Sequence, residues 1–308
     1  MARAKRRFIK NVCNHVYQNT IGGAVLFYSE LDYLSFFTRF CVCARKYDVS
    51  VVGLTLMFDH IHHNTKAFYP SELSDFVKDY TCHYSREQNE LCHRKGALFN
   101  STFGSAPKKD DKSVRTNLVY MGNNPVERCL CKKAEQYKWN FLAYAKCDYP
   151  FSEPIQYNKA SRPMKKAIRI VRSFLKKQRP LNYHTLKKLF SPLRGPERAQ
   201  LTDYIISQYN VIDYDEAIRY FGNYERMIES MHVNTGSEYD IKETFVGTSD
   251  ICYPKMIQWV EQNLSVKDVH DIFLMDNKER KDLFYRLQKE TGASGRQVAK
   301  FLRLNTPG

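Results

Sequence analysis

Leu54-Thr55-Leu56-Met57-Phe58-Asp59-His60-Ile61-His62-His63-Asn64 is the segment on which the expected architecture of this chain turns. It follows and overlaps a β-branched apolar run, Val49, Val51, Val52 and Leu54, that reads as a buried strand. If residues 59–64 are also a strand, a period of two sets His60 and His62 side by side on one face, with Ile61 and His63 on the other. Two imidazoles held that way can share one metal ion; two ordinary polar strand residues are the alternative, and His-x-His alone does not decide between them. The strands at 49–57 and 59–65 have almost no linker, so they are expected to pair antiparallel as a hairpin. His63 then reads as solvent-facing or as a support behind the pair, and His15 as structural.

Working outward, residues 8–19 read as a strand, with Val12, His15 or Val16, and Tyr17 available to a sheet, ending at Gly22-Gly23. Ser29 with Asp32 three residues on is a helix cap, and Leu34, Phe37, Cys41 and Ala44 recur on one helical face up to Lys46. Pro70-Ser71 opens a second helix, with Leu73, Phe76, Val77 and Tyr80 inward, running to about residue 90. Residues 97–105 read as another strand, 108–112 as a charged turn, and 113–123 as a third helix striped by Val114, Leu118 and Met121. Strand, helix, strand, strand, helix, strand is the order of a ferredoxin-like α+β fold, an antiparallel sheet with helices on one face.

The third helix offers the histidines partners. Tyr120 and Asn124 are four residues apart, which puts a phenol and an amide oxygen on one helical face if the helix continues that far. A carboxamide suits a hard divalent cation, and a tyrosine beside a metal can attack phosphorus. Pro125 disfavours a helical Asn124, so a kink or a helix end is expected there, with Asn123 as the fallback ligand.

The pieces Asn14-His15-Val16-Tyr17, Asp32-Tyr33, Lys46-Tyr47-Asp48-Val49, Leu56-Met57-x-x-His60-x-His62, Gly96-x-Leu98-Phe99 and Tyr120-Met121-x-x-Asn124-Pro125-Val126, with Trp139 and Tyr144, keep their order over residues 8–145. Together this set resembles the REP-associated tyrosine transposases, in the single-tyrosine branch of the HUH single-strand DNA nucleases. It departs from them at Phe58-Asp59, where that family has Pro-Asn, and at Gly122-Asn123, where larger residues are common. The resemblance implies that His60, His62 and Asn124 bind Mg2+ or Mn2+, and that Tyr120 attacks a phosphate to leave a 5′-phosphotyrosine and a free 3′-hydroxyl. Imidazole ligands make Mn2+ at least as suitable as Mg2+. A phenol is protonated at neutral pH, and no residue here declares itself as the acceptor of that proton.

The 308 residues carry 48 Lys plus Arg against 33 Asp plus Glu, a formal charge of +15, which argues for an anionic partner, nucleic acid before membrane. The chain has no long apolar span or lipid anchor. Hydrophobic content of 43% is globular, and the length suits two domains. Nine cysteines with no secretory signal read as reduced thiols of a cytoplasmic, bacterial protein that joins the nucleoid when bound to DNA. Cys82-His83 and Cys92-His93 have the wrong gap for a zinc knuckle, and Cys41-x-Cys43 and Cys129-x-Cys131 the wrong spacing for a tight chelate.

The first domain is expected over 1–147, a proline-bearing linker over 148–164 and an all-α domain over 165–308. A basic arm with Arg3, Lys5, Arg6 and Arg7, and a basic helix with Arg169, Arg172 and Lys176, are candidate phosphate contacts, with solvated faces as the alternative. Helices are expected over 215–231 and 253–264. Near 278–304, a helix, a break at Thr291-Gly292-Ala293 and a Ser294/Gln297 capping box resemble a helix-turn-helix with Arg296, Lys300 and Arg303 facing outward. These readings converge on a metal-dependent endonuclease and strand transferase acting on single-stranded or hairpin DNA. The alternatives are a catalytically silent hairpin-binding regulator and a replication initiator, the latter lacking a visible helicase or priming region. Monomer and homodimer both fit; the large C-terminal addition favours the monomer.

Overall fold

In the computed structural model, which describes residues 8–233 and 249–304, strands β1 (Cys13–Asn19), β2 (Ser50–Leu56), β3 (His60–Lys66) and β4 (Gly104–Lys108) form an antiparallel sheet in the order β2-β3-β1-β4. The expected hairpin is present, with Leu54 opposite His63 and Thr55 opposite His62. β1 starts later than residue 8, after a turn at Asn11, whose φ is 55°. The strand expected over 97–105 lies further on. Phe99 makes only a single bridge to Thr20, and Leu98 and Phe99 are buried in the core. Gly104–Lys108 takes the place beside β1, where Pro107 is tolerated because an outer strand does not need every N–H.

Helix α1 (Glu30–Lys46) starts at the expected cap: Asp32 N donates to Ser29 Oγ at 3.3 Å, and Ser29 N to Asp32 Oδ2 at 2.9 Å. Helix α2 (Pro70–Leu91) has its proline in the first turn, where a missing N–H does no harm. Both cover the sheet face that carries Val16, Leu54 and Ile61. Helix α3 (Asp111–Glu127) packs on the opposite face, which corrects the expectation of helices on one face only. Its close approach needs Gly53 on β2, where a Cβ would stand 2.9 Å from Leu118 Cδ2. α3 also runs through Pro125 without ending at Asn124. Proline cannot donate to the Met121 carbonyl one turn back, and the Thr55 hydroxyl of β2 does so instead, at 3.0 Å.

Beyond residue 160 the described residues form the helices α4 (Arg162–Lys176), α5 (Tyr183–Phe190), α6 (Pro196–Tyr209), α7 (Tyr214–Arg219), α8 (Tyr224–His232), α9 (Cys252–Asn263), α10 (Asn277–Thr291) and α11 (Gly295–Phe301). α4 begins inside the expected linker, and the helix expected over 215–231 is two, separated at Phe221-Gly222. Its two halves turn different residues, Ala217 and Met231 among them, onto the cluster around α3. Gly292, with φ 67°, makes the left-handed turn after α10, and Ser294 with Gln297 caps α11 as expected.

These helices share the apolar core of the sheet. Phe37, Cys41 and Val51 belong to one buried cluster with Ile168, Leu186, Ile205 and Tyr209. Leu181 N donates to Thr38 Oγ1 at 3.0 Å, and Asp213 N to Val51 O at 2.8 Å along the outer edge of β2. A second cluster joins Val25, Tyr28 and Phe58 to Tyr253, Ile272, Leu287 and Phe301. At its margin His270, in a 3-10 segment (Val269–Leu274), stands between two carboxylates: Nδ1 is 2.7 Å from Asp268 Oδ1, and Nε2 is 3.3 Å from Asp32 Oδ1. Burial alone would strip its proton, but the charge of Asp32 and the hydrogen bond to Asp268 outweigh it and push the imidazole up to about 10. All nine cysteines are free thiols. Among the described residues no helix is long and apolar enough to cross a membrane.

Candidate active site

The sheet face under α3 gathers the residues singled out above. β3 turns His60 and His62 toward α3, while His63 faces the other way. His63 is therefore not solvent-facing, and it lies on the sheet face away from the site. It is fully buried among Phe40 and Phe76, its Nε2 is 3.1 Å from the Tyr80 hydroxyl, and burial, with the charge of His62 second, lowers it to about 3.

Because α3 stays helical through Pro125, Tyr120 and Asn124 lie one turn apart and both reach the histidines. The ring of Tyr120 is 5.5 Å from that of His62, centroid to centroid, and His60 and His62 are 4.9 Å apart. Asn124 Nδ2 lies 3.4 Å from His62 Nε2 and 3.4 Å from the Tyr120 hydroxyl. Its Oδ1 is buried without a hydrogen-bond partner. Asn123, the fallback ligand, borders a different cavity, of about 360 Å³, with Met231 and His232. The four converging side chains are buried: His62 is 0% exposed, Asn124 4%, Tyr120 5% and His60 6%.

Two further residues complete the arrangement. His15, expected to be structural, lies on β1 beside His62, and its Nε2 is 3.0 Å from His62 Nδ1. Burial, then the charge of His62, holds His15 well below its ordinary value, so it is neutral and its Nε2 can accept a hydrogen bond from His62 Nδ1–H. Asp59 Oδ1 is 2.6 Å from His60 Nδ1. Burial opposes ionisation of Asp59, but the hydrogen bond and charge of His60, followed by Lys300, overcome it and hold the carboxyl below its usual range. Each histidine thus has Nδ1 engaged, the condition under which a neutral imidazole presents the Nε2 lone pair. Neither His15 nor Asp59 could be placed from periodicity, because one depends on strand register and the other on where a carboxylate turns.

Those donors fit a divalent cation. Two Nε2 atoms and one orphaned amide oxygen would hold it, and an amide that turns by 180° exchanges its oxygen and nitrogen. Among the described residues no three His, Cys, Asp or Glu side chains gather in metal-binding geometry, so a site at His60 and His62 needs the amide. Asp250 adds a buried carboxyl that burial, then the charge of Asp59, pushes up to about 6. Arg128 Nη1, 3.9 Å away, opposes that rise.

The expected phosphate contacts are distributed unevenly. Arg169, Arg172 and Lys176 are exposed on α4, though Arg172 Nε is given to the Tyr204 hydroxyl at 2.8 Å. Arg296 is exposed on α11. Lys300 and Arg303 do not face outward. Lys300 Nζ is 3.0 Å from Asp59 Oδ2, and the half-buried Arg303 donates from Nη2 to Val25 O and Gln88 Oε1 at 2.8 and 2.9 Å. Tyr28 and Phe273 flank that guanidinium, so the second apolar cluster takes the side chain that an isolated helix pair would leave in water. Arg3, Lys5, Arg6 and Arg7 lie outside the described residues.

No family model and no curated protein matches this chain. A solved structure of a REP-associated tyrosine transposase bound to a REP hairpin is similar to it over 47% of this chain and 87% of that one, with 15% identity and a TM-score of 0.39.

Proposed function

We propose that this chain is a metal-dependent single-strand DNA endonuclease and strand transferase acting at hairpin-forming sequences, built on a ferredoxin-like nuclease domain with a helical C-terminal domain. One observation carries the reading: β3 and α3, some 60 residues apart in sequence, bring a histidine pair, an amide and a phenol to one place. His60, His62 and Asn124 would hold Mg2+ or Mn2+. The cation, when bound, supplies charge neutralisation at the scissile phosphate. The Tyr120 oxygen forms a bond to phosphorus as the bond to the 3′-oxygen breaks. The phenolic proton passes to solvent, the leaving oxygen takes one up, and a 5′-phosphotyrosine and a 3′-hydroxyl result. Because the phosphodiester energy is kept, a 3′-hydroxyl can reverse the step without ATP. His15 and Asp59 would act by holding the two imidazoles in the tautomer that offers Nε2. The exposed cations of α4, with Arg296, and the net charge of +15 suit a phosphate backbone.

A second reading, a catalytically silent hairpin-binding protein, is favoured by the burial of Tyr120 and His62, which a substrate strand must uncover. Labelled hairpin oligonucleotides incubated with the protein and Mn2+ or EDTA separate the two. A denaturation-resistant adduct that needs Mn2+ and vanishes in Tyr120→Phe and His60→Ala is the expected result. Hairpin binding with no adduct overturns the nuclease reading in favour of the silent binder.

A further inference from the structure

The last helix ends against the histidine strand. Lys300 Nζ lies 3.0 Å from Asp59 Oδ2 while Asp59 Oδ1 lies 2.6 Å from His60 Nδ1, so one carboxylate is gripped at both oxygens. The side chains of Lys300 and Asp59 are only 23% and 15% exposed. The lysine's route is built into the backbone: a Cβ on Gly23 would stand 2.6 Å from Lys300 Cε and 2.7 Å from Nζ, and glycine there has φ 69°. α11 is itself fastened beside this route. The Tyr28 hydroxyl donates to Phe301 O at 2.7 Å, and Arg303 Nη2 to Val25 O at 2.8 Å. An exposed cation on a solvated recognition helix needs none of these features.

We propose that Lys300 is a positioning residue for the metal site, reaching from α11 to orient Asp59 so that His60 keeps its proton on Nδ1 and offers Nε2 to a divalent cation. The proposal rests on the metal reading given above. It makes the C-terminal helix a working part of the histidine site. A carboxylate held on one side by a lysine cannot rotate away from the imidazole it supports. Without the lysine, Asp59 can turn to solvent, and both the tautomer and the ring orientation of His60 lose their restraint. Lys289, exposed near the end of α10, is the internal control.

The test uses the full chain and Mn2+ alone, in unsubstituted protein, Lys300→Met, Lys300→Arg and Lys289→Met. Bound and free Mn2+ are measured by electron paramagnetic resonance. In the metal-free proteins, long-range proton–nitrogen spectra of the imidazoles report the tautomer of His60. Lys300→Met is expected to weaken Mn2+ binding by about tenfold and to shift His60 from the pure Nδ1–H tautomer toward a mixture. Lys300→Arg should restore most of both, and Lys289→Met should match the unsubstituted protein. An unchanged tautomer and unchanged affinity in a folded Lys300→Met overturn the role of Lys300. Failure of the unsubstituted protein to bind Mn2+ overturns the metal reading instead, and the tautomer readout still decides whether Lys300 orients His60.

Discussion

Replacing His270 with glutamine removes the cation that stands between Asp32 and Asp268, and the pH dependence of the loss can be worked out. The folded value, about 10, lies above the ordinary 6.5, so the proton is bound more tightly in the folded state. Its contribution is therefore fully present below about pH 6.5 and is lost as pH rises toward 10. With those two values the contribution is about 4 kcal/mol at pH 7 and about 1–2 kcal/mol at pH 9. Asp268 does not disturb this window: burial raises it, but the hydrogen bond and charge of His270, with Lys187 and Tyr183, hold it below the carboxylate range. Urea unfolding of the unsubstituted protein and His270→Gln at a series of pH values gives the difference directly. That difference should shrink by about 2–3 kcal/mol between pH 7 and pH 9. A flat difference across the interval would refute the claim that His270 is held protonated by the paired aspartates.

Thr55→Val keeps the shape of the side chain but leaves the Met121 carbonyl without its donor, so unfolding free energy should fall by about 1–3 kcal/mol and adduct formation should slow; an unchanged urea midpoint rules this out. Arg303→Met removes donors from Val25 O and Gln88 Oε1 while sparing two buried guanidinium nitrogens their lack of partners, and a net loss of about 1–3 kcal/mol is expected in the same assay. Reversing charge at both Arg169 and Lys176 should lower the salt slope of hairpin binding, read by fluorescence anisotropy, by about 0.7–0.9 for each phosphate no longer neutralised. No change in slope would place α4 outside the DNA interface.

What could be read from the chain beforehand follows the range of the interactions. Alternation in 59–64 separated His60 and His62 from Ile61 and His63, because strand pleating is local. The caps at Ser29 and Ser294 and the proline opening α2 were legible for the same reason. Long-range relations were not. His15 meets His62 only through the register of β1 on β3, in which Tyr17 stands opposite His62. The passage of α3 through Pro125 depends on the hydroxyl of Thr55, 66 residues before the Met121 carbonyl it serves. Lys300 and Arg303 read as outward because a short amphipathic helix shows which residues are buried against its own partner, not what covers its other side. The segment 97–105 has the composition of a strand, yet β1 pairs with the poorer strand formers that follow it, where register permits the ladder.

The bond from Tyr28 to the Phe301 carbonyl spans 273 residues, and it has a consequence for the protein as it is made. At a synthesis rate of 5–20 residues per second, the helix that covers Val25, Tyr28 and Phe58 leaves the ribosome roughly 15–55 s after the surface it covers. Through that interval the nascent chain carries an open apolar shelf beside its histidine strand. Vulnerability to aggregation should therefore peak during translation rather than after release, and slower elongation through the helical half should lower the yield of folded protein.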